Sequence, residues 1–182
     1  MLKEKKLKYF KTIDNIDYYL YKPSFGRWFY KDWDGFQYEV RDEGHGTAIM
    51  WLRMCLEWLE GGYKMYYAAV DDEIVGYNTI ARGGRRLTIS NKRDIVLGPT
   101  FVHPEHRGKG ISVKMDAAIL DELENDYEYA YMYIRKSNKA CLKSETKKGF
   151  EYVCDVSRRG FLRRLYPKEN GFFHVFRYAN KH

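Results

Sequence analysis

The chain has 182 residues, with 32 basic and 25 acidic side chains and a formal net charge of +7. A content of 45% hydrophobic and 17% aromatic residues supplies a core, which excludes a disordered or low-complexity chain, and the length suits a single domain over residues 1–182. The longest apolar stretch, residues 47–59, is interrupted by Arg53 and Glu57 and falls short of the roughly 20 residues of a bilayer span. The basic N-terminal segment has no apolar run or small-residue cleavage site behind it. A cytoplasmic location with no membrane partner is therefore expected. Cys55, Cys141 and Cys154 are widely spaced, with no CxxC or Cys/His cluster, so reduced thiols and no metal are expected.

In chain order, residues 16–38 hold ten aromatics among turn formers (Tyr18, Tyr19, Tyr21, Phe25, Trp28, Phe29, Tyr30, Trp33, Phe36 and Tyr38), a composition of strands and aromatic-lined loops. Residues 47–60 predict a helix in which Arg53, Glu57 and Glu60 recur at i, i+4 and i+7 and almost everything else is apolar. Such a helix must be covered on most sides, for which a homodimer is one solution, and Gly61 and Gly62 supply its left-handed stop. YKMYYAAV and EIVGYNTIA, separated by Asp71 and Asp72, predict a hairpin. A turn at ARGGRR precedes the strand DIVLGPTFV, which runs into His103, Pro104, Glu105 and the glycine-rich HRGKGI. Ile111, Met115, Ile119 and Leu123 then form the stripe of an amphipathic helix. YAYMYI predicts a short buried strand, Ser137 or Asn138 the cap of a helix running to Lys148, and Gly149 its end. EYVCDV and FFHVFRYA predict final strands. The pattern describes a mixed α/β (α+β) fold: one central, mostly antiparallel sheet with helices packed on it.

The chemistry concentrates in Arg107-Gly108-Lys109-Gly110-Ile111. The two glycines let the backbone turn tightly and approach a ligand, and the helix that starts there presents unsatisfied N–H groups at the positive end of its dipole. Together these suit a pyrophosphate, with Arg107 and Lys109 adding charge. Taken alone the segment is equally a plain glycine turn, and its spacing fits neither GxxxxGK[ST] nor GxGxxG.

The wider pattern, FVHPEHRGKGIS followed by an amphipathic helix, a strand and NKACLKSETKKGFEYV, resembles the GNAT superfamily of acyl-CoA-dependent N-acyltransferases over about residues 65–153. Members carry a Q/R-x-x-G-x-G/A loop after a strand, then an asparagine about thirty residues on, leading a helix that ends in glycine and phenylalanine. Here Glu105 stands at the first loop position, and the later element runs from Asn138 to Gly149 and Phe150. The resemblance implies acetyl-CoA as co-substrate. The backbone of Phe101 and Val102 would lie beside its pantetheine and thioester. The N–H groups of Arg107, Gly108, Lys109, Gly110, Ile111 and Ser112 would hold the pyrophosphate, and Asn138 would contact the pantetheine arm, a role its helix-capping can accompany. Lys147 and Lys148 would approach the adenosine phosphates or simply complement a helix end.

Direct transfer needs an unprotonated amine and therefore a proton acceptor. Asp94, thirteen positions before Arg107, where the histone-acetylating branch carries glutamate, and His103 are the candidates; the alternatives are a solvent-facing strand-start residue and an exposed loop residue. Many members have a tyrosine seven positions after the asparagine to protonate the departing thiolate, but Glu145 stands there; the neighbouring Ser144, or a tyrosine from elsewhere in the chain, would donate the hydrogen bond instead. The acceptor is expected to be a small-molecule primary amine, and a weaker resemblance to enzymes of bacterial surface-polysaccharide pathways suggests an amino sugar. Arg158, Arg159, Arg163 and Arg164 would suit a phosphate-bearing acceptor or simply face water. A catalytically silent acyl-CoA-binding module is the alternative raised by the absent tyrosine. No nucleic-acid partner is expected: the charge is scattered along the chain, and no RNP-type strand or zinc knuckle occurs.

Overall fold

The computed structural model describes residues 7–25, 27, 47–59, 62–147, 149–160 and 164–180. Among them run β1 (Lys8–Ile13), β2 (Ile16–Tyr21), α1 (Thr47–Leu59), β3 (Tyr63–Val70), β4 (Glu73–Arg82), β5 (Ile95–Val102), α2 (Ile111–Glu122), β6 (Tyr129–Arg135), α3 (Lys139–Lys147), β7 (Glu151–Arg159), β8 (Arg164–Pro167) and β9 (Phe173–Ala179). The strands follow the order β1-β2-β3-β4-β5-β6-β9-β7-β8 in one sheet. β5 and β6 pair in parallel, whereas β1–β2, β2–β3, β6–β9, β7–β9 and β7–β8 pair antiparallel. This is the mixed sheet that the alternation of strands and helices predicts. No helix among the described residues is long and apolar enough to cross a membrane. The chain divides into two compact units, residues 1–80 with 99–119 and residues 81–98 with 120–182.

In the first unit, Asp71 and Asp72 take φ of 51° and 65° and join β3 to β4 as predicted; Asp14 and Asn15, at 50° and 61°, join β1 to β2 in the same way. Positive φ at both central residues gives a two-residue turn the twist that the strands need, and Asp and Asn tolerate it. Behind these hairpins Tyr18 and Tyr66 are fully buried, and Phe10 meets Tyr66 edge-on at 5.5 Å. Ile111, Met115 and Ile119 are buried along α2. The polar residue within that buried face is Asp116, whose carboxylate accepts a 2.6 Å hydrogen bond from Asn78 Nδ2 of β4, so neither group is buried unsatisfied. On α1, Met54 is buried while Leu52 and Leu59 are exposed within the single chain. Trp58 Nε1 of α1 donates to the Pro23 carbonyl. Gly62, at φ 79°, closes α1 through its N–H to the Glu57 carbonyl at 3.1 Å. Gly61 and the aromatics at Trp28, Phe29, Tyr30, Trp33, Phe36 and Tyr38 lie outside the described residues.

The core of the second unit is Leu87, Val96, Tyr131, Val156, Leu165, Phe173 and Val175. Leu165 belongs to β8, a strand that sequence reasoning passed over. It donates its N–H to the Arg86 carbonyl (2.8 Å) and accepts from Thr88 N–H (3.1 Å), so residues 86–88 lie along the edge strand and satisfy its backbone groups. The β6, β7 and β9 strands are tied by Asp155, which accepts from Lys136 Nζ at 2.5 Å and from Tyr152 Oη at 3.0 Å, with His174 Nδ1 at 2.7 Å.

The Lys136 ammonium, with His174 and Tyr152 adding to it, holds the Asp155 carboxyl at about 2. An unfolded aspartate titrates near ~3.9, so this group contributes stability above that pH and loses it as pH falls toward 2. Urea denaturation of the wild type should therefore show stability dropping between pH 5 and pH 2 more steeply than in Asp155→Asn. Parallel pH profiles would contradict this.

Candidate functional site

The site begins with the way β5 ends. Its parallel register with β6 runs from Ile95↔Ala130 to Leu97↔Met132. Gly98 follows at φ 103°, and then Pro99, which has no N–H to give a ladder; a positive-φ glycine and a proline are the residues that turn a strand out of its pairing. The last residues of β5 are instead fixed by β4. His103 N–H donates to the Val75 carbonyl at 2.8 Å, and a Cβ on Gly76 would stand 2.8 Å from the Phe101 carbonyl oxygen, so only glycine permits this approach. Tyr77 of β4 stacks on Phe101 with ring centroids 6.1 Å apart and planes 24° apart. Phe101 and Val102 are half-buried.

Beyond the strand, Pro104–His106 forms one 3-10 turn, with proline at its first turn where no N–H is needed. Its carbonyl accepts the Arg107 N–H at 3.2 Å. The Arg107 side chain turns back as well: Nε donates to the Val102 carbonyl at 3.0 Å, and the guanidinium lies 5.6 Å from the Phe101 ring centroid, a cation–π arrangement. Arg107 thus pins the loop to the strand. Because its own N–H is engaged, the amide array expected over Arg107–Ser112 starts at Gly108.

Gly108 and Gly110 take φ of 79° and 73°. Among the described residues, a Cβ built on Gly108 would meet nothing within 4 Å, and one on Gly110 only Lys114 Cε at 4.0 Å. The flank of the loop is therefore open to a ligand. Gly110 C=O accepts the Lys114 N–H at 3.0 Å, the first hydrogen bond of α2, so the N–H groups of Ile111, Ser112 and Val113 precede any intrahelical acceptor. With the dipole end of a twelve-residue helix, and with the exposed Lys109, this is an anion-binding geometry. Its donor set, amides plus ammonium, fits a diphosphate. Lys114, which sequence reasoning did not single out, lies one turn into the helix.

Asp94, Asn138 and Ser144 belong to the second unit. Asp94 is 1% exposed, not solvent-facing as the bland expectation held. Its Oδ2 accepts Asn91 N–H at 2.7 Å and its Oδ1 accepts Tyr129 N–H at 3.2 Å, which clasps the start of β5 to the start of β6. Both of its oxygens are thus engaged by backbone amides. Asn138 is exposed and its Oδ1 accepts Cys141 N–H at 3.2 Å, so it caps α3 as the sequence allows. Gly149, at φ 83°, follows the helix. The side chains of Ser144 and Lys147, and Lys148 and Arg163 entirely, lie outside what the structure describes. Arg164 donates to the Arg85 and Gly84 carbonyls at 2.7 and 2.8 Å, and Arg158 lies 5.0 Å from the Phe173 ring centroid; both make structural contacts. No group of three or more His, Cys, Asp or Glu among the described residues is placed to hold a metal.

The sequence model of the acetyltransferase (GNAT) family matches residues 24–150. A comparison with curated proteins found no match. Among solved structures, a GNAT family acetyltransferase from Elizabethkingia anophelis with acetyl-CoA bound is similar at TM-score 0.62 and 15% identity, over 92% of this chain and 99% of that one. An acetyl transferase from Salmonella typhimurium that modifies the N-terminal serine of ribosomal protein L7/L12 is similar at TM-score 0.58 and 12% identity, over 92% and 96%. An N-acetyltransferase from Staphylococcus aureus Mu50 is similar at 0.54 and 16%, over 75% and 79%.

The burial of Asp94 makes its contribution measurable. Asp94→Ala leaves two amides without their acceptor and should cost about 2–4 kcal/mol in urea unfolding. Unchanged stability would contradict the clasp.

Proposed function

Because this chain belongs to the acetyltransferase (GNAT) family, we propose that it moves an acetyl group from acetyl-CoA to a primary amine of a small molecule, an amino sugar being one candidate, by direct attack in a ternary complex. The observation that carries this reading is the open-flanked Gly108–Gly110 loop leading into α2 just after the end of β5. Acetyl-CoA, when bound, supplies the activated acyl group and a thiol leaving group. The amides of Gly108 through Ser112 and the Lys109 ammonium hold its diphosphate. Backbone donors near Phe101 and Val102 stabilise the charge that develops on the carbonyl oxygen, a contribution fixed before reaction because the β4 contacts hold that backbone rigid.

His103 takes the role of proton acceptor in this reading. It directly follows β5, its backbone is anchored to Val75, and its ring is half-buried with His106 edge-on at 6.3 Å. Asp94 is a poorer choice, because its carboxylate already serves two amides. The thiolate needs little assistance to leave, since thiols ionise near ~8.5; Glu145 in the tyrosine position is therefore compatible with turnover. That same position favours the second reading, a silent acyl-CoA-binding module.

A panel of primary amines, amino sugars included, assayed with acetyl-CoA for release of free thiol separates the two. Under the proposal at least one amine raises release above solvent hydrolysis. With that amine, His103→Gln lowers kcat on the order of a hundredfold at pH 7. The deficit shrinks as pH approaches the pKa of the amine, because the free base then forms unaided. CoA binding with no amine-dependent release would establish the silent module instead.

A further inference from the structure

Lys114 sits in the first turns of α2 with its Nζ 2.8 Å from Asp14 Oδ2, a carboxylate in the turn between β1 and β2. Helical side chains lean toward the N-terminus of their helix, and Lys114 does so: its Cε is the one atom within 4.0 Å of where a Cβ of Gly110 would be. The end of its aliphatic stem thus lies beside Gly110 while the ammonium stays with Asp14. Its partner Asp14 is 69% exposed at the side chain and Lys114 32%. An ion pair so exposed stabilises little, so it yields readily to a more highly charged anion. A diphosphate on the adjacent amides would be such an anion.

We propose that Lys114 is a diphosphate ligand held in reserve by Asp14: on cofactor binding the ammonium leaves the carboxylate for the diphosphate, and Asp14 acts as an internal competitor that weakens binding. The inference rests on the acetyl-CoA reading of the loop. It differs from a purely structural role in the sign of its effects. If the pair only staples the β1–β2 turn to α2, losing either partner breaks the same contact and acts in the same direction. If Asp14 competes with the cofactor, losing Lys114 weakens binding and losing Asp14 strengthens it. Asn serves for the second change because Asp14 has φ 50°, a conformation asparagine tolerates.

Calorimetric titration of CoA into the full chain, Lys114→Met, Asp14→Asn and the double variant, at low and moderate salt, tests this, with circular dichroism confirming that each variant is folded. Lys114→Met should weaken binding about tenfold and flatten its salt dependence, and Asp14→Asn should tighten it about threefold. In the double variant the Asp14 change should no longer tighten binding, which separates release of Lys114 from simple removal of a nearby negative charge. Shifts of the same sign, or none, in a wild type that binds CoA would overturn the reserve role and leave the family reading intact. A wild type that does not bind CoA would overturn both.

Discussion

Two backbone conformations at Gly108 and Gly110 underlie the whole functional region. At φ of 79° and 73° each residue occupies the left-handed region, which a Cβ penalises. Occupying it twice within three residues turns the chain from the end of β5 into the first turn of α2 and leaves consecutive N–H groups ahead of any helical acceptor. The same missing side chains keep the flank of that turn empty. The anion-binding geometry is thus a by-product of how the helix starts.

Such a loop is useful only if what precedes it is held still, and the sequence around β5 is arranged to do that. Asp94 clasps its beginning through two amides. Gly98 and Pro99 end the parallel ladder, and Gly76 lets β4 approach the Phe101 carbonyl. Arg107 then ties the loop back to Val102 and Phe101. Each device is local, yet all bear on one strand or on the loop that follows it.

The features legible in the sequence were those whose cause is local. The α2 stripe follows from helical period, and the Asp71-Asp72 turn from two polar residues between strand-forming runs. Asp14-Asn15 makes the same turn, but β1, with Lys8 and Lys11 in its pattern, did not advertise a strand on its N-terminal side. β8 escaped because it is four residues long and its outer partner is the 86–88 segment, nearly eighty residues earlier. The clasp that Asp94 makes is also invisible locally, because the Tyr129 amide it accepts is thirty-five residues away. Lys114 went unremarked for a related reason: only the fold brings the Asp14 turn to the first turns of α2 and shows which way the lysine leans. In each case the missing information was a long-range contact, which no window along the chain contains.

Amide NMR of the isotopically labelled chain during addition of CoA tests, residue by residue, whether the amides opening α2 hold the diphosphate of the acyl donor. The resonances of Gly108, Lys109, Gly110, Ile111 and Ser112 should move most and move together, saturating at one affinity. Saturable CoA binding that leaves those five amides in place and shifts others would contradict that role.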